Sequence, residues 1–100
     1  MKHEIFNQYV SKIAKLYRVE EQELFVRSRK QEMVDARHML FYLCVSRPIP
    51  AYSIKAYMAE RGLSIQQSAI NNGVRKIEKN ISEDADYAQI ISDIERSVKL

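Results

Sequence analysis

One hundred residues give room for one hydrophobic core and not for two. A composition 46% apolar and 29% charged, with only two glycines and two prolines, excludes disordered and collagen-like chains and disfavours a strand-rich fold needing many tight turns. The formal net charge of +3 is unevenly spread: residues 26–80 hold ten Lys and Arg against four Asp and Glu, whereas residues 81–100 hold two against five, so any positive field for a phosphate-bearing partner lies mid-chain.

Ile5, Tyr9, Ile13 and Leu16 recur at three-to-four spacing and predict an amphipathic helix over 4–17. Met1 to Val10 is charged and polar where a signal peptide would be apolar. A short second helix over 20–25 turns Leu24 and Phe25 to the core. Val26-Arg27-Ser28-Arg29-Lys30 follows no apolar period and is assigned to a basic loop. A long helix over 31–46 then presents Val34, Leu40, Phe41, Leu43 and Cys44, and stops near Arg47 because Pro48 disfavours helical geometry in the residue before it. Cys44, the one cysteine, has no disulfide or metal-site companions and reads as a packed thiol. No apolar run reaches the roughly 18–20 residues that cross a bilayer. The expected location is the cytoplasm, with no membrane partner.

Pro50 leads into a fourth helix over 51–61, with Ile54, Tyr57 and Met58 inward, and Gly62 ends it in a left-handed conformation. Ser64 and Gln67 have capping-box spacing and predict the start of a helix through Ile70, Val74 and Ile77. A last helix over 83–98 puts Tyr87, Ile91, Ile94 and Val98 on one face, with Glu83, Asp84 and Asp86 at its electropositive start. The expected fold is all-α: a compact bundle of five to six helices, one domain over 1–100, containing a helix-turn-helix at about 51–79 and an acidic C-terminal helix.

With Ile70, Val74 and Ile77 inward, the helix after Gly62 exposes Gln66, Gln67, Ser68, Asn71, Asn72, Arg75 and Lys76. Amides carry a donor and an acceptor, which matches the N6/N7 edge of adenine in the major groove, and cations further along suit phosphate. The same pattern also describes an ordinary solvated helix face. Base contacts are therefore expected from Gln66, Gln67, Ser68 and Asn71, and backbone contacts from Lys55, Arg75 and Lys76.

Residues Ser28-Arg29-Lys30-Gln31-Glu32-Met33-Val34-Asp35-Ala36-Arg37-His38-Met39-Leu40-Phe41-Tyr42-Leu43 resemble the basic loop and long helix of the C-terminal, box-reading domain (domain IV) of the bacterial replication initiator DnaA. Val74-Arg75-Lys76-Ile77-Glu78 resembles the end of that family's recognition helix, and Ile13-Ala14-Lys15-Leu16-Tyr17 its opening helix. The resemblance spans roughly residues 8–79. It implies a bundle of short helices around a helix-turn-helix, related to the tryptophan repressor, that binds double-stranded DNA in replication initiation or its regulation. It further implies Arg29 at the A·T-rich minor groove, where negative potential concentrates, and Lys30 and Arg37 on phosphates.

The recognition-helix signature departs from the family. Where the family has Asp-His-Thr-Thr-Val and then His-Ala, this chain has Gln66-Gln67-Ser68-Ala69-Ile70 and then Asn72-Gly73. Ile70 keeps the buried position, while the base-reading side chains differ, so a changed target sequence is expected. The Gly-x-x-x-x-Gly-Lys-Ser/Thr phosphate loop is absent, and neither His3 nor His38 sits in a catalytic or metal-binding frame. No enzyme activity, cofactor, metal or small-molecule substrate is expected. The alternative reading is a helical protein-interaction module, or a transcriptional regulator without a DnaA-box role, docking a partner or a second copy through Ile90, Ile91, Ile94 and Val98 of the last helix. Against that, the last helix is expected to pack back over the first.

Overall fold

The helix boundaries fall where the backbone chemistry changes. In the computed structural model, which describes residues 1–98, α1 (Lys2–Tyr17) is followed by a 3-10 turn (Glu21–Phe25), α2 (Gln31–Ser46), α3 (Ala51–Glu60), α4 (Gln67–Glu83) and α5 (Ala85–Ser97), with no strand among the described residues. The Cα radius of gyration is 12.3 Å, against about 13 Å for a compact domain of this length. No helix of the described residues is long and apolar enough to cross a membrane.

α2 ends one residue before Arg47, and Pro50 stands at the N-cap of α3 with an extended backbone. Gly62 takes φ +102° in the turn after α3, with no heavy atom within 4 Å of a notional Cβ, so its requirement is conformational and not spatial. Arg18 closes α1 in the left-handed region at φ 57°, a role usually given to glycine. Asp84 alone separates α4 from α5, and its carboxylate accepts from the backbone N–H groups of Asp86 (2.9 Å) and Tyr87 (3.2 Å). The acidic segment thus caps a helix, as its position at an electropositive end predicts.

α2 is the central element. Met33, Ala36, Met39, Leu40, Phe41, Leu43 and Cys44 are buried along it, and α4 and α1 pack on it more extensively than any other pair of elements in the fold. Cys44 is a core residue whose thiol burial pushes its pKa up, which leaves it without thiolate reactivity. Phe6 joins α1 to the rest through rings of Phe25 (centroids 6.4 Å) and Tyr57 (5.3 Å). Arg47 donates to the Tyr9 hydroxyl (3.3 Å) and the Val98 carbonyl (2.8 Å), tying the end of α2 to α1 and to the chain beyond α5.

Two expectations are corrected. Leu16, placed on the buried face of α1, is 43% exposed. Ser64 does not cap α4: the N-cap is Gln66 and makes no side-chain cap bond, while the Ser64 carbonyl accepts from Arg27 at 3.5 Å. The N–H groups at the start of α4 are thus left without a side-chain cap. The last helix buries Ile91, Ile94 and Val98 and leaves Ile90 open at 39%; it packs on α4 and also borders α1, where Lys12, Lys15 and Leu16 face Ile90 and Ile94 across a groove.

The α2–α4 crossing is set by Gly73. A Cβ there would lie 2.9 Å from His38 Cδ2, 3.0 Å from Phe41 Cδ2 and 3.2 Å from the His38 Cα, and the last of these belongs to helical backbone that cannot rotate away. For Gly73→Ala, helix propensity gains about 1 kcal/mol, while overpacking a tight contact costs about 1–3 kcal/mol. The expected net result is a loss of about 1 kcal/mol, read as a Tm lower by roughly 4–8 °C, with Gly73→Val losing more. A Tm raised by Gly73→Ala in thermal unfolding would show that the crossing has slack.

Candidate nucleic-acid interface

The register of α4 follows from its inner row. Ile70, Gly73 and Ile77 are buried, which turns Gln67, Ser68, Asn71, Asn72 and Arg75 to solvent, with Gln66 and Lys76 exposed at the margins. Two contacts order this face: the Gln67 amide donates to Asn71 Oδ1 (3.3 Å), and Arg75 donates to Asn72 Oδ1 (3.1 Å). Both pairs lie one helical turn apart, where side chains meet. The bonds leave the Gln67 carbonyl oxygen and the Asn71 amino group available outward.

Depressions lie on either side of α4. On one side is a polar cleft of about 470 Å³ between the basic loop and the first turn of α4, walled by Arg27, Ser28, Arg37, Gln66, Ser68 and Asn72 among others. On the other is a mostly apolar groove of about 730 Å³ that includes Val45, Pro48, Pro50, Ala51 and Val74 below a rim of Gln67, Asn71 and Arg75. α4 thus stands as a ridge with cations on one flank and hydrocarbon on the other.

The loop owes its shape to Arg37. Its guanidinium donates to the carbonyls of Leu24 (3.3 Å), Val26 (3.2 Å) and Ser28 (3.0 Å), taking alternate carbonyls of an extended segment around one fork. Ser28 Oγ accepts from the Lys30 N–H at 3.2 Å, turning the chain into α2. Burial, and then the nearby Arg27, lower the Arg37 pKa from its ordinary value, with the group remaining cationic. Arg37, expected on a DNA phosphate, directs donors to three loop carbonyls and also lines the cleft beside Arg27. Its effect on the surface is to hold Arg27 and Ser28 beside the start of α4.

Of the remaining expected residues, Arg29, Lys30 and Lys76 are exposed and Lys55 is half-buried on α3, and their side chains form no hydrogen bond or ion pair among the described residues. Gln66, Gln67, Ser68, Asn71 and Arg75 come together on or beside the outer face of α4; Gln66 and Ser68 share the cleft with Arg27 and Ser28 of the loop, Gln67, Asn71 and Arg75 rim the apolar groove, and Arg29 and Lys30 line neither. Nothing shown brings Lys55 to that cleft or to the apolar groove. Arg27 was not singled out from the sequence although it lines the cleft; the basic run around it was the available signal. Arg47 and Arg61 also belong to the basic middle of the chain but serve the fold. Arg61 pairs with Glu21 (3.5 Å), donates to Asn7 Oδ1 (2.8 Å) and sits 5.1 Å from the Phe25 ring centroid.

The turn between α3 and α4 runs over residues 61–66, longer than the three- or four-residue turn of a typical helix-turn-helix. Among the described residues no group of three or more His, Cys, Asp and Glu side chains could hold a metal ion. No family model matches this chain, and no solved structure matches it.

Arg37→Ala removes a charged donor from three carbonyls and is expected to lower stability by about 1.5–3 kcal/mol. Cleavage within residues 24–30 by limited proteolysis should increase with it. Arg37→Lys should not restore the protection, since an ammonium lacks the planar fork. An unchanged Tm and proteolysis pattern in Arg37→Ala would return the residue to the outer surface.

Proposed function

We propose that this chain is a sequence-specific double-stranded DNA-binding domain of the DnaA domain IV type, with a target sequence shifted from the family's, acting in replication initiation or its regulation. The observation that carries the reading is the exposed polar face of α4: Gln66, Ser68 and Asn72 border the basic loop across one cleft, and the hydrogen-bonded amides of Gln67 and Asn71 stand along the rim on its other flank. A ridge about 10–12 Å across with its side chains is the size of element that the major groove admits. Gln67, Ser68 and Asn71 would meet base edges, with Gln66 at the helix start. The loop would follow the adjoining backbone, with Arg29 reaching the minor groove and Lys30 on phosphate.

The same geometry extends the set of backbone contacts to Arg27. Together with Arg37 behind it, Arg27 gives the cleft two guanidinium groups beside the uncapped start of α4, where backbone N–H groups and the helix dipole favour an anion. A DNA phosphate is the anion this reading supplies. Arg75 and Lys76 anchor the next turn, and Lys55 approaches the backbone from α3. A six-residue turn changes how α3 sits on the backbone without altering what α4 presents. The domain works by binding alone, without a cofactor, and the role expected of it is cytoplasmic.

The test is selection of bound duplexes from a random pool, followed by affinity measurements on the winning sequence. Gln67→Ala should cost about 1–3 kcal/mol on that sequence and relax the preference at one or two positions. Arg75→Ala should weaken all duplexes about equally and reduce the salt slope by about 0.9. Equal effects of the two substitutions on all sequences would remove the division between base reading and anchoring. A pool with no enriched motif and uniform weak binding would remove sequence-specific DNA recognition.

A further inference from the structure

His38 lies where the recognition surface meets the core. It occupies the face of α2 against which Gly73 brings the α4 backbone, with a notional Gly73 Cβ only 2.9 Å from its ring and 3.2 Å from its Cα. The ring is half-buried, and its Nδ1 is buried with no hydrogen-bond partner. A neutral imidazole tolerates this by leaving Nδ1 unprotonated and carrying its proton on Nε2; the imidazolium must place an N–H at both nitrogens, one of them in a site without an acceptor. The charged groups acting on it are Asp35 and Arg37 from its own helix and Lys76 from α4, two cations against one carboxylate. Asp35 also accepts from the Gln31 amide at 2.8 Å.

We infer that His38 is an acid-sensitive wedge beneath α4: protonation loosens the α2–α4 crossing, so the fold weakens below neutral pH and, on the DNA-binding reading above, the grip on DNA weakens with it. The sign follows from the environment. Burial is the largest influence and lowers the ring's pKa from the ordinary 6.5; Asp35 opposes this, and Arg37 and Lys76 add to it. A group with a depressed pKa in the folded state contributes stability that is fully present above its unfolded value, and that is lost as pH falls through the folded value. The loss therefore begins below 6.5. Added positive charge beneath the helix would by itself favour DNA, so weaker binding in acid would report the loosened crossing and not the charge.

The experiment follows thermal unfolding of the whole chain from about pH 7.5 to about pH 5, across the range in which histidine charges, for the native protein, His38→Gln and His3→Gln. His3, the other of the two histidines, serves as the control. A fivefold loss in the folding constant reads as roughly 4–8 °C in Tm for a domain of this size. A fall of at least that size is expected in the native protein and in His3→Gln, and a clearly smaller one in His38→Gln. In parallel, the His38 ring resonances of the folded native protein should titrate below those of the unfolded chain. A ring that titrates at or above the unfolded value overturns the inference, and decides alone if His38→Gln does not fold. So does an acid loss of Tm retained in full by His38→Gln. Duplex binding at the same pH values should weaken in the native protein and hold in His38→Gln; binding that strengthens in acid overturns the coupling to DNA. The stability and resonance measurements need no DNA, so a protein that binds no duplex at any pH defeats the functional reading and leaves the wedge to be judged by those two.

Discussion

At Gly73 the α4 backbone rests against the Cα of His38 with no room for a methyl group, and this contact fixes where the exposed face of α4 points. The pitch of an α-helix ties its outer row to its inner one. Once Ile70, Gly73 and Ile77 are seated on the core, Gln67, Asn71 and Arg75 have only one place to go. α2 sets the position of the basic loop as well, because Arg37 projects from it and gathers the carbonyls of Leu24, Val26 and Ser28. One helix therefore supports both the amide ridge and the basic loop, and does so through two neighbouring residues, Arg37 and His38.

Position in the fold, more than charge alone, decides which cations can meet a partner. Arg37, Arg47 and Arg61 all belong to the basic middle of the sequence, yet each is tied to carbonyls, a hydroxyl, an amide or a carboxylate of its own chain. Arg29, Lys30 and Lys76 remain exposed and unpaired among the described residues. Fewer cations are consequently free to contact a partner than the sequence count implies, although those bound to carbonyls keep their charge. That favours a modest number of phosphate contacts with strong dependence on placement.

Much of this was legible in the sequence, and what was missed has a physical pattern. The helix ends at Pro48 and Gly62, the packed Cys44 and the buried Ile70 and Ile77 of α4 follow from local rules about backbone freedom and periodicity, and local rules need no partner; Val74, expected beside them, is half-buried at the apolar groove and Gly73 takes its place inside. The amide face was legible for the same reason, being the complement of the inner row. Roles that depend on residues far apart in the sequence were not. Arg37 gives no sign in its own helix that Leu24 and Val26 will wrap it, and Gly73 in a sequence reads as a replaced family residue and not as a crossing point. The capping pattern of Ser64 and Gln67 misled because α4 starts only at Gln67, which leaves Ser64 two residues outside its N-cap. Leu16 was assigned inward by spacing alone, and the groove between α1 and α5 leaves it open.

Whether the basic loop and the outer face of α4 form one DNA-binding surface supported by α2, as proposed, is decided by following backbone amide resonances as duplex DNA is added. Shifts are expected to concentrate in residues 27–30 and 66–76, to appear together at the same DNA concentration and to fade together as salt is raised. Shifts confined instead to the α1–α5 groove around Leu16 and Ile90, or two sets that titrate separately, would contradict it.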